Sequence, residues 1–198
     1  MVISQGTYMA MIFTDRFFMA DFGPEALAAT MAGGLTAFLT NSLIYGMLSY
    51  GNALVANYYG SGQNEKCSLV ITQAMIIAAV IAPIIFLLSF FISDIFALVG
   101  HPTTQVEMEE TYYTILVAGA VFPYLKTALM SFFTGIGKTR IIMTCNFLAM
   151  ICNIPLSYCT IYGVAGFPKL GIAGAAYATI FSSFVSFATM LYFYLSKE

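Results

Sequence analysis

The chain has 198 residues, 60% of them hydrophobic and only 8% charged, with a formal net charge of −2. A soluble globular chain carries about 25% charged residues, so this composition excludes a water-facing surface and specifies an all-α protein that crosses a membrane several times. The charge is near balance and forms no basic stripe, which excludes a nucleic-acid partner. Trp is absent, so any interfacial aromatic belt falls to Tyr and Phe.

The first apolar segment, residues 2–20, contains Asp15. A carboxylate at membrane depth costs roughly 2.5–3.5 kcal/mol on insertion scales and marks an ion or proton path by default. Asp15 can hold a proton or Na⁺; the plainer alternative is an acid in a static hydrogen-bond network. Arg16 is one residue away and so faces elsewhere, with a stem long enough to snorkel to the headgroups. Gln5, in the same span, is a polar residue that can face a central cleft. The segment lacks the basic start and small-residue cleavage site of a signal peptide.

A turn at residues 21–25 leads to a second helix over residues 26–59. That is longer than the ~20 residues a bilayer needs, so part projects into water. It carries Asn41, a second cleft-facing polar residue. The turn at residues 60–65 supplies Gly60 or Gly62 as a C-cap. The third helix covers residues 67–91, and the break at residues 93–105, which holds the lone His101, has room for a short interfacial turn. The fourth covers residues 108–133, with Pro123, Tyr124 and Lys126 near its middle. An ammonium there needs a partner or water: Asp15 across the bundle is one partner, and a wet cavity or the interface is the alternative.

The GIGKTR stretch at residues 135–140 lacks the first spaced glycine of a P-loop and lies between two apolar helices, so it binds no nucleotide. The fifth helix covers residues 139–162. Cys145, Cys152 and Cys159 recur along one of its faces about 10 Å apart, beyond the ~7 Å reach of a disulfide; they read as packing residues. Asn153 and Ser157 share a face of this helix. Pro155 between them cannot donate to the Ile151 carbonyl. Amide, hydroxyl and backbone oxygens on one stripe suit a hard cation or water; the alternative is interhelical hydrogen bonding worth roughly 0.6 kcal/mol per bond. A loop at residues 163–171 precedes the sixth helix, residues 172–195, which carries Thr179. With no nucleophile, metal-ligand spacing or redox motif, the chain reads as a non-enzyme without a cofactor. Its only ion would be H⁺ or Na⁺ at Asp15.

Charge orients the spans. Lys66, Lys138, Arg140 and Lys197 fall on one side, while Lys169 stands alone against Asp21, Glu25, Asp94, Glu107, Glu109 and Glu110 on the other. The positive-inside rule makes the first side, and both termini, cytoplasmic.

Three segments occur in order among these six spans: TDRFFMADFGPEALAA at residues 14–29, NYYGSGQNEK at 57–66, and the stretch at 134–179 that begins TGIGKTRIIM and ends GAAYAT. Together they resemble the multidrug and toxic compound extrusion (MATE) family over essentially the whole chain. The resemblance implies a bundle of six transmembrane helices that is one lobe of a two-lobed transporter. Residues 1–198 would be the N-terminal lobe, with its first helix shortened and the C-terminal lobe absent; the alternative is a half-size transporter that dimerises. It implies a multi-pass protein of the plasma (inner) membrane, exchanging H⁺ or Na⁺ for drugs or other cationic or amphipathic organic compounds by alternating access. Its partners would be those small molecules, the bilayer and a second six-helix lobe. The position of Asn153 is typically polar in the family and contributes to cation coupling. At Ser157 relatives often carry Asn or Asp, and serine is the weaker ligand. Asp15, Asn153, Ser157 and Thr179 are thus the cation-coupling set, and Gln5, Asn41, Tyr124 and Lys126 the cleft or network set. A lipid-linked oligosaccharide flippase, which would use Arg16 and Lys126 for pyrophosphate, or another polyspecific exporter of similar architecture, and a non-transporting lobe fragment are the competing readings.

Overall fold

The computed structural model describes the backbone of residues 2–98 and 100–196, and all of their side chains except those of residues 2–5, 7, 8, 93–95, 97 and 98. These residues form seven helices and no strand: α1 (Val2–Phe22), α2 (Pro24–Gly60), α3 (Asn64–Leu98), α4 (Thr103–Ala118), α5 (Val121–Gly135), α6 (Thr139–Tyr162) and α7 (Ile172–Leu195). The burial pattern is that of a bundle solvated by lipid. Helix α2 turns Leu35, Phe38, Leu39 and Leu43 outward and buries Ala29, Ala37 and Asn41. Lipid is as apolar as leucine, so nothing drives the large side chains inward, and small and polar residues make the helix contacts.

Among the described residues α2, α3, α6 and α7 are long and apolar enough to cross a membrane, and α4 with α5 makes a fifth span. Helix α1 does not join them on composition, because Gln5, Thr14, Asp15 and Arg16 dilute its apolar residues; it completes the bundle by packing on α6 and α2. The single helix expected over residues 108–133 is in fact two, α4 and α5, bent by 49°. Pro123 has no N–H to offer the Gly119 carbonyl, and the chain caps α4 there with Gly119 N–H to the Ile115 carbonyl and Ala120 N–H to that of Val117. Helix α3 runs past the expected end at residue 91, absorbing much of the anticipated break. Between residue 91 and Gly100 the sequence has no glycine or proline to stop it, and Phe96 is buried edge-on against Tyr113, ring centroids 5.7 Å apart. The expected C-cap after α2 is a Schellman turn, with Gly62 at φ 75° and its neighbour Gln63 N–H reaching the Tyr58 carbonyl at 2.9 Å.

The turns collect at two ends. At one, Thr104 Oγ1 donates to Glu25 at 3.3 Å and Tyr162 Oη to Asp21 at 2.9 Å, and Phe22 abuts Gly171. At the other, Ser68, Phe133, Lys138 and Tyr194 line a cavity of about 210 Å³.

Candidate cation-binding site

Asp15 lies on a stripe of α1, one residue per turn, that also carries Met11 and Met19, and all three are buried. Arg16, the next residue, is turned off this stripe and exposed. Helices α6 and α7 close over the acid. Ser157 Oγ donates to Asp15 Oδ1 at 2.8 Å. Thr179 Oγ1 lies 3.5 Å from Asp15 Oδ2 and donates at 3.0 Å to the Ala175 carbonyl. One turn below Ser157, Asn153 is wholly buried; its Nδ2 donates to Ser182 Oγ at 3.3 Å, while its Oδ1 has no partner. Helix α6 stays continuous through Pro155, which keeps Asn153 and Ser157 in register on one face.

The chemistry of this cluster is that of oxygen. It offers a carboxylate, the hydroxyls of Ser157, Thr179 and Ser182, and an unpaired amide oxygen. A buried acceptor without a donor costs about 1–3 kcal/mol, so Asn153 Oδ1 is a ready ligand for a hard cation or for water. Among the described residues the only ion pair is His101–Glu109, so Asp15 has no basic counter-ion. An Na⁺ or a proton would fit the donor set; a soft metal would not.

Lys126 is not the partner of Asp15. It is half-buried on α5, which packs mainly on α2, α3 and α7, while Asp15's helix α1 packs on α6 and α2. Tyr124 and Asn41 meet each other: Tyr124 Oη donates to Asn41 Oδ1, and Asn41 Nδ2 donates to the Ala37 carbonyl at 2.6 Å. Tyr45 packs edge-on to Tyr124 at 5.5 Å. Among the described residues this α2–α5 network shares no hydrogen bond with the Asp15 cluster. The side chain of Gln5 lies outside the described residues. Sequence reasoning missed Ser182, which its spacing of three from Thr179 on one face could have revealed, and Met11, whose Sδ lies 3.9 Å from Ser182 Oγ.

Ser157→Ala leaves Asp15 Oδ1 without its donor in a buried site. We expect a loss of about 1–3 kcal/mol, read as a lower unfolding midpoint in mixed micelles, with Ser157→Thr recovering part of it.

Fold and site together define an integral, multi-pass membrane protein: an all-α lobe, α4 and α5 forming one bent span, built around an acid with no ion-pair partner among the described residues. The MatE family model matches residues 1–159, and the chain belongs to that family. It is 29% identical over 196 residues to the probable multidrug resistance protein YoeA of Bacillus subtilis (strain 168), covering 98% of this chain and 41% of that protein. It is 27% identical over 198 residues to the probable multidrug resistance protein NorM of Photorhabdus laumondii, covering all of this chain and 44% of that one. An outward-facing multidrug resistance MATE family transporter of the MOP superfamily superposes with a TM-score of 0.88 at 24% identity, over 100% of this chain and 43% of its own. The chain therefore spans less than half the length of these relatives and has the fold of one lobe.

Proposed function

We propose that this lobe works in cation-coupled antiport, exporting cationic or amphipathic organic compounds from the cytoplasm as H⁺ or Na⁺ enters. The observation that carries the reading is the buried, unpaired Asp15 carboxylate, held by Ser157 of α6 and approached by Thr179 of α7. A cation bound there would tie α1 to α6 and α7, and its departure would free α1 to shift. An ion can drive such a change only if the two states bind it differently, and a buried carboxylate meets that condition whenever one state admits water to it. The lobe would act with a second six-helix lobe, from a longer chain or a second copy, by rocking about a cleft between them. Residence in the plasma membrane with the Lys66 and Lys138 turns in the cytoplasm agrees with the charge distribution. The resistance-protein names of the relatives support drugs as cargo.

The test is dye export from proteoliposomes of the two-lobed form. Efflux of a cationic dye should follow an imposed Na⁺ or pH gradient and stop when the corresponding ionophore collapses it. Efflux indifferent to both gradients, or movement of a lipid-linked sugar in place of the dye, would overturn the reading.

A further inference from the structure

Away from Asp15, a second acid is buried without use in that reading. Glu109, on α4, is wholly buried. Its carboxylate is held by His101 Nδ1, 2.9 Å from Oε1 and 3.2 Å from Oε2, and by Gln105 Nε2 at 2.7 Å. The His101 side chain is 34% exposed, so the pair joins a dry carboxylate to an imidazole in contact with solvent. His101 sits in the turn between α3 and α4; its Nδ1 also lies 3.4 Å from Gln105 Nε2, and both Glu109 and Gln105 belong to α4. The same stretch is tied to α2: Thr104 Oγ1 donates to Glu25, and a Cβ on Gly33 would come within 3.0 Å of the Glu109 carbonyl oxygen. The adjoining Pro102 carbonyl accepts from the N–H groups of Gln105 and Val106, at 2.9 and 3.0 Å. Those two amides therefore report whether the turn is seated.

We propose that His101 and Glu109 form a pH-responsive latch which, when the imidazole is protonated, holds the α3–α4 turn down on α4 and against the head of α2. Histidine is the side chain that ordinarily changes charge between pH 5 and 8. A charged imidazole compensates the buried carboxylate and makes a charge-assisted bond to it. A neutral one leaves that carboxylate with two neutral donors, and the turn loosens. The charged groups around the pair are few. Helix α2 contributes Glu25 and no other charged residue, α4 itself carries Glu107 and Glu110, and α7 carries none. The side chain of Asp94 on α3 lies outside the described residues. Tyr113, beside Glu109 on the inner face of α4, faces Thr40 Oγ1 of α2 at 3.3 Å. Among the described residues no other basic side chain is paired with Glu109. The latch sits at the same end as the α1–α2 turn, so it controls how firmly α4 and α2 are clasped at one mouth of the lobe.

Hydrogen exchange read by mass spectrometry, on the full chain in lipid nanodiscs, tests this. After correction for the intrinsic pH dependence of exchange, the peptide covering residues 101–109 should be about fivefold better protected at pH 6 than at pH 8.5, the difference between a charged and a neutral hydrogen-bond partner. His101→Asn keeps a neutral donor and cannot titrate, so its protection should be equal at the two pH values. Glu109→Gln should likewise be flat. A wild-type peptide protected equally at both pH values, or a His101→Asn protein that keeps the fivefold difference, would overturn the latch. Should Glu109→Gln fail to fold, the His101→Asn comparison alone decides, because that side chain is already in contact with solvent.

Discussion

Asp15→Asn in the two-lobed form is expected to cut ion-coupled dye efflux by one to two orders of magnitude while expression and membrane insertion persist. The substitution is nearly isosteric, and the amide oxygen can still accept the Ser157 hydroxyl that now reaches Oδ1 at 2.8 Å. What it removes is the negative charge. Contacts to a charged group are worth about 1.5–3 kcal/mol, which corresponds to roughly 10–100-fold in ion affinity. Without a bound cation the two arrangements of α1 lose the term that distinguishes them. The Asn153 amide oxygen, already unpaired, would remain without a ligand. Arg16→Gln is the control: Arg16 is turned off the buried stripe of α1 and exposed, and its loss should leave efflux close to wild type. Dye export by Asp15→Asn at the wild-type rate, driven by the same gradient, would remove Asp15 from the coupling mechanism.

Much of this arrangement can be read from the chain, and the limits are physical. Asp15 announces itself because a charge in an apolar run has few alternatives to function. Helical spacing puts Asn153 and Ser157 on one face, and α6 and α7 begin and end where the sequence places them. The α4–α5 bend is harder. Gly119 and Pro123 both sit inside membrane helices often enough without breaking them, because neighbouring helices can satisfy the freed groups. What the chain alone does not show is the tertiary fit at the break: Gly119 lies directly beneath Ile180 of α7, where a Cβ would meet the side chain at 2.3 Å. The Lys126 expectation failed for a related reason. Spacing says which residues share a face of one helix, but not which helix that face meets, so the opposite charges of Asp15 and Lys126 invited a pairing that the helix packing does not make. The His101–Glu109 pair is eight residues apart across a turn, and no periodicity joins a loop residue to a helix face.

The largest loss of stability is expected where α6 and α7 come closest. A Cβ on Gly174 would lie 2.6 Å from the Thr160 carbonyl oxygen, 2.7 Å from its carbon and 3.0 Å from the Ile161 nitrogen. All three are backbone atoms of α6, so no rotamer change relieves the clash and the helices must separate. Separation also breaks the bond from Thr160 Oγ1 to the Gly174 carbonyl, now 3.0 Å, and thins the contacts of the buried Ala175, Ala176 and Ala178. Overpacking a well-filled core costs typically 1–3 kcal/mol, occasionally more. With backbone as the obstacle we expect Gly174→Val to reach about 3 kcal/mol, at the upper end of that range. Gly46→Ala, on α2 with nothing within 4 Å of the added Cβ, should be neutral or gain about 0.5–1 kcal/mol from helix propensity. Unfolding midpoints of the two variants in mixed micelles test the contrast. Gly174→Val should also lose efflux, because moving α7 carries Thr179 and Ser182 away from Asp15 and Asn153. The pair of readouts thus separates the two large effects: Asp15→Asn loses transport with its midpoint close to wild type, and Gly174→Val loses both. A Gly174→Val protein that unfolds at the wild-type midpoint would mean that α6 and α7 do not approach this closely in the membrane.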